Sequence, residues 1–331
     1  MADLNKKIDA LVALGTYMHA NEASFQSARE HAIHANSWFT DEHIGIAAAN
    51  ICQAFLDREK LISWMAQYKP VEHPVTVGIT MAGNIPMVGF HDFLCAYLSG
   101  NHARVRYSSK DAVLIPHMME VIADTDPDIR SQIVSAEQLK GCDAYIATGS
   151  NNSARYFEQY FAKYPHIIRR NRTSVAMLDG SETEEELHEL AKDVFLFFGL
   201  GCRNVTQVCV PRGYDFGKLF RAFEYCSHLM HHHKYRNNYD YHLAVYLLNK
   251  VPYLTNDFLL MVENELPFSA VSVLHYRYYD DKDALAASLS ASEDIQCIVG
   301  KGHVPFGKAQ LPALDDYADG VDVMQFLTHI K

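Results

Sequence analysis

From residue 75 onward, short apolar runs alternate with helical stretches, and several of the runs end in glycine, asparagine or serine turns. Residues 75–82 read as a buried strand, followed by the turn Gly83-Asn84-Ile85-Pro86, a helix over 87–99 and a Gly100-Asn101 stop. Residues 103–107 read as a strand, 112–123 as a helix disturbed in its first turns by Pro116, and 142–147 as a strand. The turn Thr148-Gly149-Ser150 leads into a helix over 152–163, with short strands at 166–169 and 174–178. Ser181 and Glu184 have the spacing of a capping box, which opens a helix running to Phe198. Further on, 205–210, 269–276 and 296–299 read as strands, and 215–230, 241–249 and 281–290 as helices. Strands separated by helices pair in parallel and are covered on both faces, so this alternation constrains the fold more than any one motif. Residues 4–68 instead space their apolar residues at three and four, as helices do. The expectation is an α/β protein: a helical N-terminal segment and two doubly wound α/β domains, 1–198 and 199–331, with a cleft between them. Domain interfaces are favoured places for ligands.

Charge and cysteine content narrow the class. A formal net charge of −11 argues against a general nucleic-acid binder or a binder of anionic membranes. The start, Met1-Ala2-Asp3-Leu4-Asn5-Lys6-Lys7, lacks the apolar core of a signal peptide, and no apolar run approaches the roughly 18 residues of a membrane span. Seven cysteines, an odd number without a CxxC pair, fit a reduced chain in the cytoplasm.

One cysteine differs from the rest. The run Phe198-Gly199-Leu200-Gly201-Cys202-Arg203-Asn204 places a thiol in a bend between a helix and a strand, at the boundary of the two halves. Backbone N–H groups or Arg203 would favour its thiolate there, and a thiolate attacks carbonyls to give thioesters or thiohemiacetals. The competing reading is a packed cysteine, the ordinary fate of the residue and our reading of the other six. Asn84 follows a strand end, where ligands of open α/β sheets bind, and its amide can donate to an oxyanion; it is equally a favourable turn residue. Thr148-Gly149-Ser150 suits a phosphate or the face of a cofactor, or is an ordinary helix cap; it is not a GxGxxG fingerprint. Arg106 with Ser108-Ser109-Lys110 puts hydroxyls and two cations at a strand end, apt for a nucleotide 2′-phosphate or simply solvated. The run His231-His232-His233 points its rings about 100° apart on a helix and lacks companion ligands, so it reads as a solvated helix end, not a metal site.

Taken in order, these motifs resemble the aldehyde dehydrogenase superfamily, and within it the acyl-CoA reductase branch of LuxC type, over residues 75–326. Ala82-Gly83-Asn84-Ile85-Pro86 is similar to the branch's Asn-x-Pro turn. Gly100-Asn101 through Ser108-Ser109-Lys110-Asp111 is similar to the strand and loop that hold the cofactor's adenosine end, and Ala147-Thr148-Gly149-Ser150 to the turn beside the nicotinamide. The Cys202 run resembles the nucleophile motif, Glu265-Leu266-Pro267-Phe268 the Glu-x-Phe segment that contacts a cofactor ribose, and Tyr317-Ala318-Asp319-Gly320-Val321-Asp322 the closing segment. The resemblance implies reduction of an acyl thioester to aldehyde: Cys202 takes the acyl group from coenzyme A or an acyl carrier, a nicotinamide supplies hydride, and Asn84 with the Cys202 N–H stabilises the oxyanion. Hydrolytic members carry a water-activating glutamate in a Glu-Leu-Gly-Gly-Lys segment. The matching stretch here is Ile168-Arg169-Arg170-Asn171-Arg172, with Ile168 at the glutamate's place. Where NAD-using relatives carry an acid near the ribose 2′-hydroxyl, this chain has Ser109 flanked by Arg106 and Lys110, which implies NADPH. The segment 68–74 leaves little room for the usual oligomerisation hairpin. A homo-oligomer and an acyl-transferring partner enzyme stay open, as do a cysteine acyltransferase without reduction and a non-catalytic nucleotide- or acyl-binding protein.

Overall fold

The structure, a computed structural model, describes residues 2–69 and 71–330; Met1, Pro70 and Lys331 lie outside the described residues. The chain forms two compact units, Met1–Asn171 together with Pro312–Lys331, and Arg172–Leu311.

The first unit opens with α1 (Ala2–Ala20), α2 (Ala23–Ala35), α3 (Asp41–Phe55) and α4 (Arg58–Met65). Thr40 and Asp57 cap the last two by accepting the His43 and Lys60 N–H groups, and the helices bury Ile8, Leu11, Leu14, Phe25, Ile44 and Leu61. Then β1 (Thr76–Thr80), α5 (Phe90–Ser99), β2 (His102–Arg106), α6 (Leu114–Ala123), α7 (Ile129–Gln132), β3 (Ile133–Ser135), β4 (Ala144–Thr148), α8 (Asn151–Phe161) and β5 (His166–Arg169) alternate as expected. The strands form a parallel sheet in the order β3-β2-β1-β4-β5. The chain winds outward from β1 to β3 and then lays β4 on the other side of β1. The adjacent carboxyl ends of β1 and β4 are therefore the point where the winding reverses, which is where such sheets bind ligands. Gly100, at φ 86°, ends α5 in the left-handed conformation that glycine tolerates. The terminal segment returns to this unit. Its helix Val323–Thr328 packs on α5, the Leu327 carbonyl accepts Asn101 Nδ2 at 2.8 Å, and Tyr317 Oη accepts Trp64 Nε1 at 2.8 Å.

The second unit contains β6 (Thr173–Met177), α9 (Glu184–Phe195), β7 (Val205–Pro211), α10 (Phe216–Phe223), α11 (His233–Asn249), β8 (Leu254–Thr255), β9 (Leu260–Glu263), β10 (Val273–Tyr279), α12 (Lys282–Ser290) and β11 (Ile295–Gly300). Its sheet runs β11-β6-β7-β10-β9-β8, parallel except for the β8–β9 pair. Val175, Ala176, Val208, Leu260, Leu274 and Val299 are fully buried in it. The division falls between β5 and β6, not at 198/199, because β6 and β7 are neighbours in one sheet and take α9 with them.

Local differences have local causes. The capping box of α9 is Thr183 with Glu186, not Ser181 with Glu184, since the Ser181 hydroxyl is already committed to Asp179 Oδ1 at 2.6 Å. That helix stops at Phe195, before Phe198. The helix expected over 215–230 divides into α10 and a tighter helical run, Glu224–His231. α11 begins at His233, well before residue 241, because the His232 ring caps it by accepting the Tyr235 N–H at 3.4 Å. β10 begins late because Ser272 takes φ 64° just before it. β3, β8 and β9 are too short to show alternation in sequence.

Candidate active site

Cys202 lies between α9 and β7. Three residues in a row on the approach to it, Phe197, Phe198 and Gly199, have positive φ of 54°, 57° and 74°. The left-handed conformation costs a non-glycine residue about 1–2 kcal/mol, so two phenylalanines there need strong fixing. Both rings are buried, and the Phe198 ring lies 4.4 Å from His232. The fully buried Asn204 supplies the rest. Its Oδ1 accepts the Gly201 N–H at 2.8 Å, and its Nδ2 donates to the Asp193 and Leu196 carbonyls at 3.0 and 2.8 Å, satisfying the end of α9 from outside. Ser174 Oγ donates to the Cys202 carbonyl at 3.1 Å. Asp193 in turn accepts the Gly307 and Ala309 N–H groups at 2.6 and 3.0 Å, and burial pushes its carboxyl up to about 6. Cys202 itself is half-buried, whereas Cys95, Cys142, Cys209 and Cys226 are buried. Burial pushes the Cys52 and Cys226 thiols up to about 11 and Cys209 to about 12, so these are neutral at physiological pH.

In the same unit, the segment after β9 carries Glu265 and Phe268. Gln207 on β7 donates to the Asn264 and Leu266 carbonyls at 2.8 and 3.2 Å, and His275 Nδ1, on a ring that burial keeps neutral, meets the Leu266 carbonyl at 2.8 Å. The segment is thus fastened to the strand that Cys202 leads into. Glu265 is exposed and pairs with Arg277 Nη1 at 3.2 Å.

In the first unit, Asn84, Ser108-Ser109-Lys110 and Thr148-Gly149-Ser150 follow β1, β2 and β4 and gather at one edge of the sheet. The Asn84 turn rests on the loop after β2. A Cβ at Gly83 would come within 2.7 Å of Ser108 Cβ and 3.0 Å of the Asp111 nitrogen, so only glycine fits. Met87, at φ 58°, donates its N–H to Asp111 Oδ2 at 2.6 Å. Asp111 is buried, which pushes its carboxyl up to about 6 against the amides of Met87 and Leu114. Arg106, Ser109 and Lys110 are exposed, and Ser108 Oγ accepts the Lys110 N–H at 3.2 Å. Ser150 caps α8 by accepting the Ser153 N–H, and a Cβ at Gly149 would meet Ser153 Cβ at 2.9 Å and Phe157 at 3.0 Å. Thr148 Oγ1 accepts Arg169 Nη1 at 3.3 Å, while Ile168 is half-buried on β5. The reversal of winding, the glycine-only approaches and the cations beside hydroxyls fit a nicotinamide dinucleotide along this edge.

Sequence reasoning missed the polar residues that hold these loops: Asn204, Gln207, His275, Asp111, Asp193 and the Arg169–Asp92 pair. At Gln207, His275, Asp193 and Asp92 the signal was a polar residue inside an apolar run, as in Val205-Thr206-Gln207-Val208; Asn204, Asp111 and Arg169 lie in polar stretches and carried none. His231 and His233 are exposed and His232 is a cap, and no group of three metal-ligand side chains occurs among the described residues.

Residues 50–213 match the family model of acyl-CoA reductase (LuxC), a span that includes Asn84, Ser108-Ser109-Lys110, Thr148-Gly149-Ser150 and Cys202 but not Glu265 or Phe268. No curated protein matches the sequence. The fold is similar to indole-3-acetaldehyde dehydrogenase AldA of P. syringae in complex with NAD+ and IAA, at 10% identity and TM-score 0.66 over 90% of this chain and 72% of that one. It is similar to an aldehyde dehydrogenase of Mycobacterium tuberculosis complexed with NAD+, at 14% identity and TM-score 0.64 over 89% and 72%. It is also similar to NADP-dependent glyceraldehyde-3-phosphate dehydrogenase of Bacillus halodurans complexed with NADP, at 12% identity and TM-score 0.63 over 89% and 73%. Residues 50–213 thus match the acyl-CoA reductase (LuxC) family, and the chain has the fold of the aldehyde dehydrogenases.

Proposed function

We propose that this protein reduces an acyl thioester, carried by coenzyme A or an acyl carrier, to an aldehyde with NADPH through an acyl-Cys202 intermediate. The observation that carries the reading is the Cys202 turn: a half-buried thiol behind two left-handed phenylalanines, locked by a fully buried asparagine. Strain of that kind persists where function requires a fixed geometry. The Cys202 thiolate attacks the carbonyl carbon, the bond to the carrier sulfur breaks, and the carrier leaves as a thiol after taking up a proton. When bound, NADPH would supply the hydride that the acyl-Cys202 carbonyl needs to reach the thiohemiacetal. Release of aldehyde returns the thiolate. The reading assigns to the Asn84 amide and the Cys202 N–H, each in its own unit, the role of donors that would stabilise the oxygen that becomes negative in acylation and again in reduction.

Two features support transfer to hydride over transfer to water, and NADPH over NADH. The end of β5 presents Ile168 and a guanidinium in place of an acid, and Asp92 is committed to that guanidinium. The end of β2 and the loop after it expose Arg106, Ser109 and Lys110 with no carboxylate among them, as a 2′-phosphate requires. Arg106, Ser108, Ser109 and Lys110 would hold the adenosine end, Thr148, Gly149 and Ser150 the nicotinamide half, and Glu265 with Phe268 a ribose. Intact-mass measurement with a panel of acyl-CoAs, followed by NADPH and aldehyde analysis, tests the reading. The expected results are a single acyl adduct, its discharge as aldehyde, and a loss of at least about a thousandfold in Cys202→Ala. Adduct without NADPH oxidation would establish an acyltransferase instead, and neither adduct nor turnover a binding protein.

A further inference from the structure

No bond made or broken in the chemistry above involves the ion pair buried beneath the Thr148 turn. Arg169, the last residue of β5, sends Nη1 and Nη2 to Asp92 Oδ2 and Oδ1 at 2.6 and 2.9 Å, fork to fork. Asp92 sits in the first turn of α5, immediately after the Asn84 turn. The same Nη1 reaches Thr148 Oγ1 at 3.3 Å, and the Arg169 carbonyl accepts the Gly149 N–H at 3.2 Å. The two side chains are only 7% and 8% exposed. Burial alone would lower the arginine's pKa, but the Asp92 charge and hydrogen bonds raise it, so the cation persists. The remaining donor, Nε–H, is buried with no acceptor among the described residues. A buried ion pair adds little stability over apolar residues of similar size, and a stranded N–H subtracts from it. Orientation is what the planar fork supplies: one guanidinium ties α5, the end of β4 and the end of β5 into a single geometry.

We propose that Arg169 and Asp92 are a positioning pair that holds the turn at residues 148–150 at a set distance from α5, and thereby sets the nicotinamide end of the cofactor against the Asn84 turn. The inference rests on the reductase reading for its second half only. Arg169→Lys keeps a charge against Asp92 but loses the fork; the double change Arg169→Met with Asp92→Leu removes both charges at similar volume. Each is expected to fold with a melting temperature within a few degrees of the parent. Amide hydrogen exchange at residues 149–154 should be about tenfold faster in the substrate-free protein, with β1 unchanged. Hydride transfer in a single turnover of pre-acylated enzyme should slow about tenfold or more, with the rate of Cys202 acylation retained. Unchanged exchange in Arg169→Lys overturns the proposal, whether or not the double variant folds. Faster exchange with unchanged hydride transfer reduces the pair to a structural clamp and overturns it too. Because exchange needs no substrate, a parent protein that fails to reduce acyl-CoA sinks the reductase reading without deciding the fate of the clamp.

Discussion

Two residues after β2 have opposite relations to water, and each yields a prediction. Ser109 is exposed between the cations Arg106 and Lys110. In Ser109→Glu a carboxylate would repel a 2′-phosphate while accepting from a 2′-hydroxyl, so KM for NADPH should rise about tenfold or more and the preference move toward NADH. Initial rates with the two cofactors check this. Asp111 is buried, with Oδ2 on the Met87 amide and Oδ1 without a partner among the described residues. Its folded pKa, about 6, lies above the ordinary aspartate value, because burial disfavours the anion. The native state therefore keeps a proton between about pH 4 and 6 that the unfolded chain has lost, and the stability this contributes disappears as pH rises through that window. In Asp111→Asn the amide oxygen still accepts from Met87 and no charge is buried. The variant should be more stable than the parent at neutral pH by about 2 kcal/mol, with the gain vanishing toward pH 4. Thermal melts across pH 4–8 measure it, and a variant less stable at neutral pH contradicts the argument.

At the scale of elements, the decisive piece is the junction of α9 with β7. The helix does not fade into a loop: it is stopped at Phe195, reversed through left-handed backbone and stitched by Asn204 to its own last carbonyls. Asn204→Ala removes hydrogen bonds to Gly201, Asp193 and Leu196 at once and leaves buried carbonyls unpaired. The expected loss is about 2–4 kcal/mol in denaturant unfolding, with acylation of Cys202 at least about tenfold slower. The glycines around Cys202 announced a bend, and the structure places one there. The left-handed conformation falls first on Phe197 and Phe198, which no propensity suggests; burial of both rings and the Asn204 bonds override the local preference. His232 shows the same lesson in miniature, since its helix cap and its contact with Phe198 depend on partners outside its own run.

Over the whole molecule, the terminal segment Pro312–Lys331 belongs with the first unit although it follows the second in sequence. Tyr317 accepts Trp64 Nε1 at 2.8 Å, and Tyr68 Oη donates to Asp322 Oδ2 at 2.8 Å. Both tryptophans, Trp38 and Trp64, lie in the first unit, so their emission reports on that unit alone. Tyr317→Phe leaves the indole N–H without its acceptor and should lower the stability read by tryptophan fluorescence by about 1–3 kcal/mol, with a change in native emission. No described helix is long and apolar enough to cross a membrane. Local chemistry in the chain determined the alternation of strands and helices, the glycine stops and the loops at the ends of β1, β2 and β4, because propensities and turns act within a few residues. Only the tertiary structure decided that the division falls after Asn171, that Pro312–Lys331 returns to the first unit, and that Arg169 closes on Asp92. Those outcomes depend on which strands pair and which buried charges meet across long stretches of chain, and short-range spacing carries no record of either.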